Sequence, residues 1–330
     1  MIHLSIWGKA LTGMPRLSDE QWHQLDWFGR WLISVRASVL IMTFSSSILA
    51  GLLAWYFSTL DWGLWCLVTL GLCLAHATNN LINDATDYWR GVDDDHYMRN
   101  QYGVQPLTRG LMSAFDMLLQ IGLTGMAALG IGLLLLWLRG ELVLPLLAAG
   151  CFFVLFYTWP LKKWGLGEPA VLLVWGPLMV GGGFYVVSGQ WSWLVAVVSI
   201  AYALGPTSVL FGKHLDKRAA DAAKGVRTLP VILGEARARS WVKAMTLAQY
   251  CIPSVLVFSG QLPWPILLIA LAFRSAYALW RACSYPLPDH KPERFPQRIW
   301  PLWFSAFAFA HTRVYGAWLF AGLGIALLLQ

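Results

Sequence analysis

Charge is the first thing this sequence lacks. Only 12% of its 330 residues are Asp, Glu, Lys or Arg, against roughly 25% in an ordinary soluble domain, and just 17 are acidic. No polar stretch is long enough to build a soluble domain with its own core; the longest are the first 30 residues and three internal loops. The five cysteines (Cys66, Cys73, Cys151, Cys251, Cys283) form no CxxC pair and mostly fall inside apolar segments. They read as buried thiols, which argues against a disulfide framework or a zinc site. Met1 to Gly13 lacks the charged opening, continuous apolar run and small-residue cleavage site of a signal peptide. The net charge of +7 is distributed in a way that suits membrane topology and an anionic substrate, not nucleic acid.

What is present is apolar: 58% hydrophobic residues and a mean hydropathy of +0.56 mark an integral membrane protein. Ser18-Asp19-Glu20-Gln21 forms a capping-box pattern. Trp22, Leu25, Phe28 and Leu32 follow on one stripe, so residues 1–33 are read as an N-terminal segment carrying an interfacial helix or a solvated lead-in, and residues 34–330 as the membrane domain. Nine apolar spans are expected, near 34–57, 62–83, 111–137, 142–158, 168–187, 192–212, 238–259, 264–283 and 302–329, each close to the ~20 residues that cross a bilayer. Their connections alternate between short and long. Arg139 lies in a short loop and Arg313 deep in a span, whereas most other cations gather at the N-terminus and on the long-loop side. The positive-inside rule then puts the N-terminus and long loops in the cytoplasm, the C-terminus outside and the chain in the cell (inner) membrane.

The scarce acids are concentrated. Asn79 to Asp95 carries five of them where the second span ends, with Asn83 and Asp87 spaced i, i+4 on one helix face. A second segment, Gly212 to Pro230, mixes Asp216 and Asp221 with Lys213, Lys217, Arg218, Lys224 and Arg227. Acids that hold hard cations beside bases that contact phosphate suit a diphosphate bridged by two Mg²⁺ ions. A solvated positive-inside loop has a similar composition. Because polar groups concentrate on one face, an enzyme working at the cytoplasmic interface is favoured over a cation-coupled transporter reachable from both sides.

Asn83-Asp84-Ala-Thr-Asp87-Tyr-Trp-Arg90-Gly91-Val-Asp93 resembles the first aspartate-rich motif of the UbiA superfamily of intramembrane prenyltransferases, and Asp216 to Leu229 resembles the second. Tyr157 to Lys163 and Gly165-Leu166-Gly167-Glu168 are similar to the 1,4-dihydroxy-2-naphthoate prenyltransferase branch. The resemblance implies an all-α bundle of nine transmembrane helices that moves a prenyl group from a prenyl diphosphate to an aromatic acceptor, a naphthoate-like quinone precursor ahead of others, with Mg²⁺ as cofactor and membrane lipid as surroundings. A non-quinone acceptor or a cyclising reaction are the alternatives within the fold. It further implies metal binding by Asn83, Asp84, Asp87, Asp93, Asp216 and Asp221. Diphosphate contacts fall to Arg90, Lys217, Lys224 and Arg227, and the catalytic set is Asp87, Asp221, Tyr157 and Lys162, with Tyr157 bordering the allylic carbon. Three places depart from the family pattern, one being that Lys162 stands five positions after Tyr157 and not the four of the hydroxybenzoate branch. Asp216 and Asp221 are five apart where many members space the pair by four, and Gln105 precedes Pro106-Leu107 where many carry Arg, with Arg99 and Arg109 as nearby substitutes.

Outside these motifs, Gly181-Gly182-Gly183 suits close helix packing or a wider lipid tunnel. Arg313 within an apolar span is expected to pair or to face a cavity, with Asp116 as one candidate partner.

Overall fold

The N-terminal segment folds by capping. In the computed structural model, which describes residues 4–92, 104–297 and 299–330, α1 (Leu4–Thr12) is followed by α2 (Asp19–His23) and α3 (Trp27–Ser34). The capping box forms: Gln21 N–H donates to Ser18 Oγ at 3.2 Å, and Ser18 N–H donates to the Gln21 side chain at 3.0 Å. The expected stripe is nevertheless split between two helices, because Asp26 starts a new one, accepting from Gly29 N–H at 2.6 Å and from the Trp7 indole at 3.2 Å. Trp22 is fully buried and donates its indole N–H to Leu111 O at 3.0 Å, which clamps the segment against the chain ahead of the third long helix. Leu25 and Leu32 are buried with it, whereas Phe28 points outward.

All the remaining described elements are helical. They are α4 (Ile41–Phe57), α5 (Trp62–Trp89), α6 (Ala114–Arg139), α7 (Val143–Phe156), α8 (Gly167–Leu173), α9 (Gly182–Ser188), α10 (Trp193–Asp216), the short α11 (Arg218–Ala223) and α12 (Leu229–Leu233), α13 (Glu235–Phe258), α14 (Phe273–Ala282) and α15 (Phe304–Leu328). A wide turn around Gly176 and Pro177 joins α8 to α9 in one span, and a 3₁₀ stretch, Trp264–Ala272, leads into α14. Among the described residues, eight helical stretches are long and apolar enough to cross a membrane. Of the nine expected, the last corresponds to α15, which has 25 residues but carries His311, Thr312 and Arg313 in its first half and is not among the eight.

The sequence explains the layering. α10 is the centre of the bundle and packs on α8, α13 and α15, with Tyr202, Ala203, Ser208 and Leu215 buried. α6 and α7 lie at the periphery, where Phe115, Met126, Trp137 and Leu155 face outward as lipid-facing side chains should. Gly183 approaches Ala50 so closely that a Cβ would meet it at 3.1 Å, in keeping with close packing. Arg139, the one cation in a short loop, is bound to the C-terminal end of α9, donating to Val186 O at 2.7 Å and Val187 O at 2.9 Å. Arg313 is exposed with its guanidinium 6.0 Å from the Phe309 ring, and Asp116 accepts from Ser113 Oγ instead of meeting it.

Candidate active site

Helix length puts the first acids in place. The 28 residues of α5 extend ~42 Å at 1.5 Å per residue, beyond a hydrocarbon core of ~30 Å. Its last two turns, which carry Asn83, Asp84 and Asp87, therefore emerge on the α4 entry side, and all three side chains are still buried by neighbours. Asn83 and Asp87 share a face. The Lys162 ammonium lies between them, 2.9 and 2.8 Å from the two Asp87 oxygens and 3.3 Å from Asn83 Oδ1, while Thr158 Oγ donates to Asn83 Oδ1 at 3.2 Å. Lys162 reaches this position because the chain leaves helical geometry at Trp159 ahead of Pro160, and reverses at Gly165, whose φ of 79° is left-handed. A Cβ at Gly165 would lie 2.5 Å from Ile232 Cδ1 and 3.2 Å from Arg227 O, so this turn also packs on the second motif. Asp84, one position after Asn83, pairs with Arg36. Arg90 is exposed, its guanidinium 4.2 Å above the Trp159 ring. Asp93 and Arg99 lie outside the described residues.

The second segment begins where α10 meets α15. Gly212 allows the contact: a Cβ there would be 2.6 Å from Ser305 N and 2.7 Å from Phe304 C. One turn later, the Asp216 carboxylate accepts from Phe304 N–H at 2.7 Å, Ser305 N–H at 3.0 Å and Ser305 Oγ at 2.7 Å, and so caps the N-terminus of α15. Lys217 and Asp221 share the next face as an i, i+4 pair, 3.0 Å apart, with Asp221 fully buried. Lys224 Nζ donates to Gly91 O at 3.4 Å and so joins the two segments, whereas the Arg227 side chain is exposed. The Tyr157 ring packs beside Gly167, where a Cβ would lie 3.7 Å from Tyr157 Cε2.

The sequence profile of the UbiA prenyltransferase family matches residues 44–302. The chain belongs to this family. A 2-carboxy-1,4-naphthoquinone phytyltransferase from Synechocystis is 27% identical over 61% of this chain and 65% of its own length, slightly less than two thirds of that relative. A 1,4-dihydroxy-2-naphthoate octaprenyltransferase from Mycobacterium tuberculosis is 27% identical over 76% of this chain and 85% of its own. Among solved structures, a UbiA homolog from Archaeoglobus fulgidus bound to GPP and Mg²⁺ shares the fold at a TM-score of 0.58 and 14% identity, covering 89% of this chain and 99% of that one.

In this UbiA-family protein the two acidic segments fit a divalent cation unequally. The Asn83 and Asp87 oxygens converge on one position, now filled by the Lys162 nitrogen, and would hold a hard ion whose remaining ligands come from water and phosphate. Among the described residues, no group of three or more His, Cys, Asp or Glu side chains gathers around one such position.

Several contacts around these two segments are visible only in three dimensions. Arg36 sits at the α3–α4 junction with a left-handed φ of 54°, and is the sole non-glycine residue with positive φ among those described; such strain collects at functional positions. In sequence it looks like one more cation at a span edge. His214 Nδ1 and Glu168 Oε1 lie 2.6 Å apart and are almost completely buried, tying α8 to the end of α10. The histidine beside Asp216 and the glutamate of Gly165 to Glu168 were the available signals, but their pairing was not. Arg109 is committed elsewhere, to Asp19 and Leu17 O.

Proposed function

We propose that this protein is a Mg²⁺-dependent prenyltransferase that transfers the prenyl group of a prenyl diphosphate to an aromatic acceptor, with a naphthoate-like quinone precursor as the preferred class. The observation that carries the reading is the convergence of Asn83, Asp87 and Lys162 with Asp221, Lys217 and Lys224 at one end of a membrane bundle. The names of the two bacterial relatives support the naphthoate assignment. The concentration of cations at that end supports a cytoplasmic opening and N-terminus, with residues 1–33 as an interfacial collar on the membrane domain.

Asn83 and Asp87 would hold the Mg²⁺, which when bound neutralises charge on the leaving diphosphate. Lys162, Lys217 and Lys224 bind phosphate oxygens, with Arg90 and Arg227 at the exposed rim. The allylic C–O bond breaks and its electron pair leaves with the diphosphate. Tyr157 presents an aromatic face to the resulting cation. Apolar walls exclude the water that would quench it. A ring carbon of the acceptor then forms the new C–C bond, and the ring regains aromaticity by losing a proton.

Purified protein supplied with prenyl diphosphates of several lengths and a panel of phenolic and naphtholic acceptors is expected to give a prenylated product by mass spectrometry only with Mg²⁺. Asp87→Asn should abolish diphosphate release. Unchanged turnover in that variant refutes the reading.

A further inference from the structure

We infer that this chain binds one divalent cation, on Asn83 and Asp87, and that the Lys217 ammonium seated on Asp221 stands where a second cation would otherwise be held. The inference rests on the prenyltransferase reading and deepens it, since it states how diphosphate charge is balanced at the same site.

Both segments present an i, i+4 pair on the last or next helical turn, but the pairs differ in kind. Asn83 and Asp87 supply an amide oxygen and a carboxylate to one point, and the cation now at that point is Lys162, 2.8 to 3.3 Å from three oxygens. Lys162 ends a flexible four-carbon stem and can move from the acids to a phosphate when a metal ion replaces it. In the second pair the position equivalent to Asn83 is Lys217, and its nitrogen is 3.0 Å from Asp221. This ammonium is an integral member of the pair, in the place where a second oxygen ligand would be required. Lys217 can swing aside as Lys162 can, but it leaves no oxygen behind, so a divalent ion on Asp221 would find one carboxylate where the first pair offers an amide oxygen and a carboxylate.

Asp216 does not make good the loss. Both of its oxygens are engaged at the start of α15 by Phe304 N–H, Ser305 N–H and Ser305 Oγ. The backbone contact at Gly212 fixes α10 against that same point, so Asp216 cannot swing toward Asp221 without leaving two buried N–H groups unpaired. Mg²⁺ demands near-octahedral oxygen ligation and is poorly served by a single carboxylate. Lys217, 8% exposed, is instead placed to meet the diphosphate directly.

The test counts ions, using Mn²⁺ as the probe and electron paramagnetic resonance to measure binding to the full-length protein in detergent with a non-ionisable prenyl thiolodiphosphate. One Mn²⁺ per chain is expected for the wild type and none for Asp87→Asn. Lys217→Asp, which restores an i, i+4 carboxylate pair, is expected to raise the count to two. Two ions in the wild type overturn the inference, as does a folded Lys217→Asp protein that still binds one. Should that variant not fold, Asp216→Asn decides: a count still at one supports the inference, and a lower count overturns it. A wild type that binds no Mn²⁺ and releases no diphosphate under any condition brings down the prenyltransferase reading itself, and this inference with it.

Discussion

Replacing Asp216 by Ala is expected to weaken the fold measurably. The carboxylate accepts three hydrogen bonds at 2.7 to 3.0 Å, two of them from backbone N–H groups at the first turn of α15, and is 5% exposed. Alanine leaves those two donors buried without a partner, at about 1–3 kcal/mol each. It also removes an anion from the positive end of a 25-residue helix, an effect of up to about 2 kcal/mol in partly buried geometry. Some relaxation is inevitable, so the net loss should fall in the range of roughly 2–6 kcal/mol. Asparagine retains one acceptor oxygen and should lose about half as much. Reversible unfolding in mixed detergent micelles, with α15 followed by protection of its first amides, reads both quantities. A loss under roughly 0.5 kcal/mol, the size of an ordinary surface change, would refute the assignment of Asp216 as the cap of α15.

Two further outcomes are expected. His214→Ala should cost about 3–5 kcal/mol, because it strands a buried carboxylate, whereas joint replacement of His214 and Glu168 by apolar residues of similar volume should cost much less; equal losses would show that the pair is not coupled. Cys283 is 1% exposed at the end of α14 and is shielded from reagents by its packing. An alkylating reagent should leave it unmodified at pH 8 in the folded protein, while Cys66 and Cys251, which the sequence predicts to be buried but which are exposed on the bundle, react with a membrane-permeant reagent; rapid labelling of Cys283 would contradict its packing.

The fold was legible because lipid imposes simple rules. A run of about 20 apolar residues has to be a helix, and capping by Ser18 follows from local chemistry alone. That Asp87 and Asp221 would lie at helix ends was legible because charge at a membrane boundary is costly without a use, and Asn83 was drawn in by its i, i+4 spacing from Asp87. Sequence spacing could not say which way a carboxylate turns. Asp216 and Asp221 look alike in the chain, yet one is drawn to α15 by two backbone donors 88 and 89 residues away and the other lies against Lys217. Asp84 and Asp87 differ by less than one helical turn, and that rotation alone sends one to Arg36 and the other to Lys162. The buried union of Glu168 with His214 spans 46 residues and leaves no periodic trace.

The Lys162 nitrogen resting on Asp87 forms an internal salt, close to electrical balance in a medium that penalises net charge. On the reading proposed above, a divalent ion held by Asn83 and Asp87 would take the place of that ammonium, and a diphosphate bound beside it would receive the ammonium in turn. The two ligands would then assist one another through a shared counter-ion. By linkage, prenyl diphosphate should raise affinity for the metal by the same factor as the metal raises affinity for prenyl diphosphate. A membrane enzyme built this way would resist loading with either partner alone.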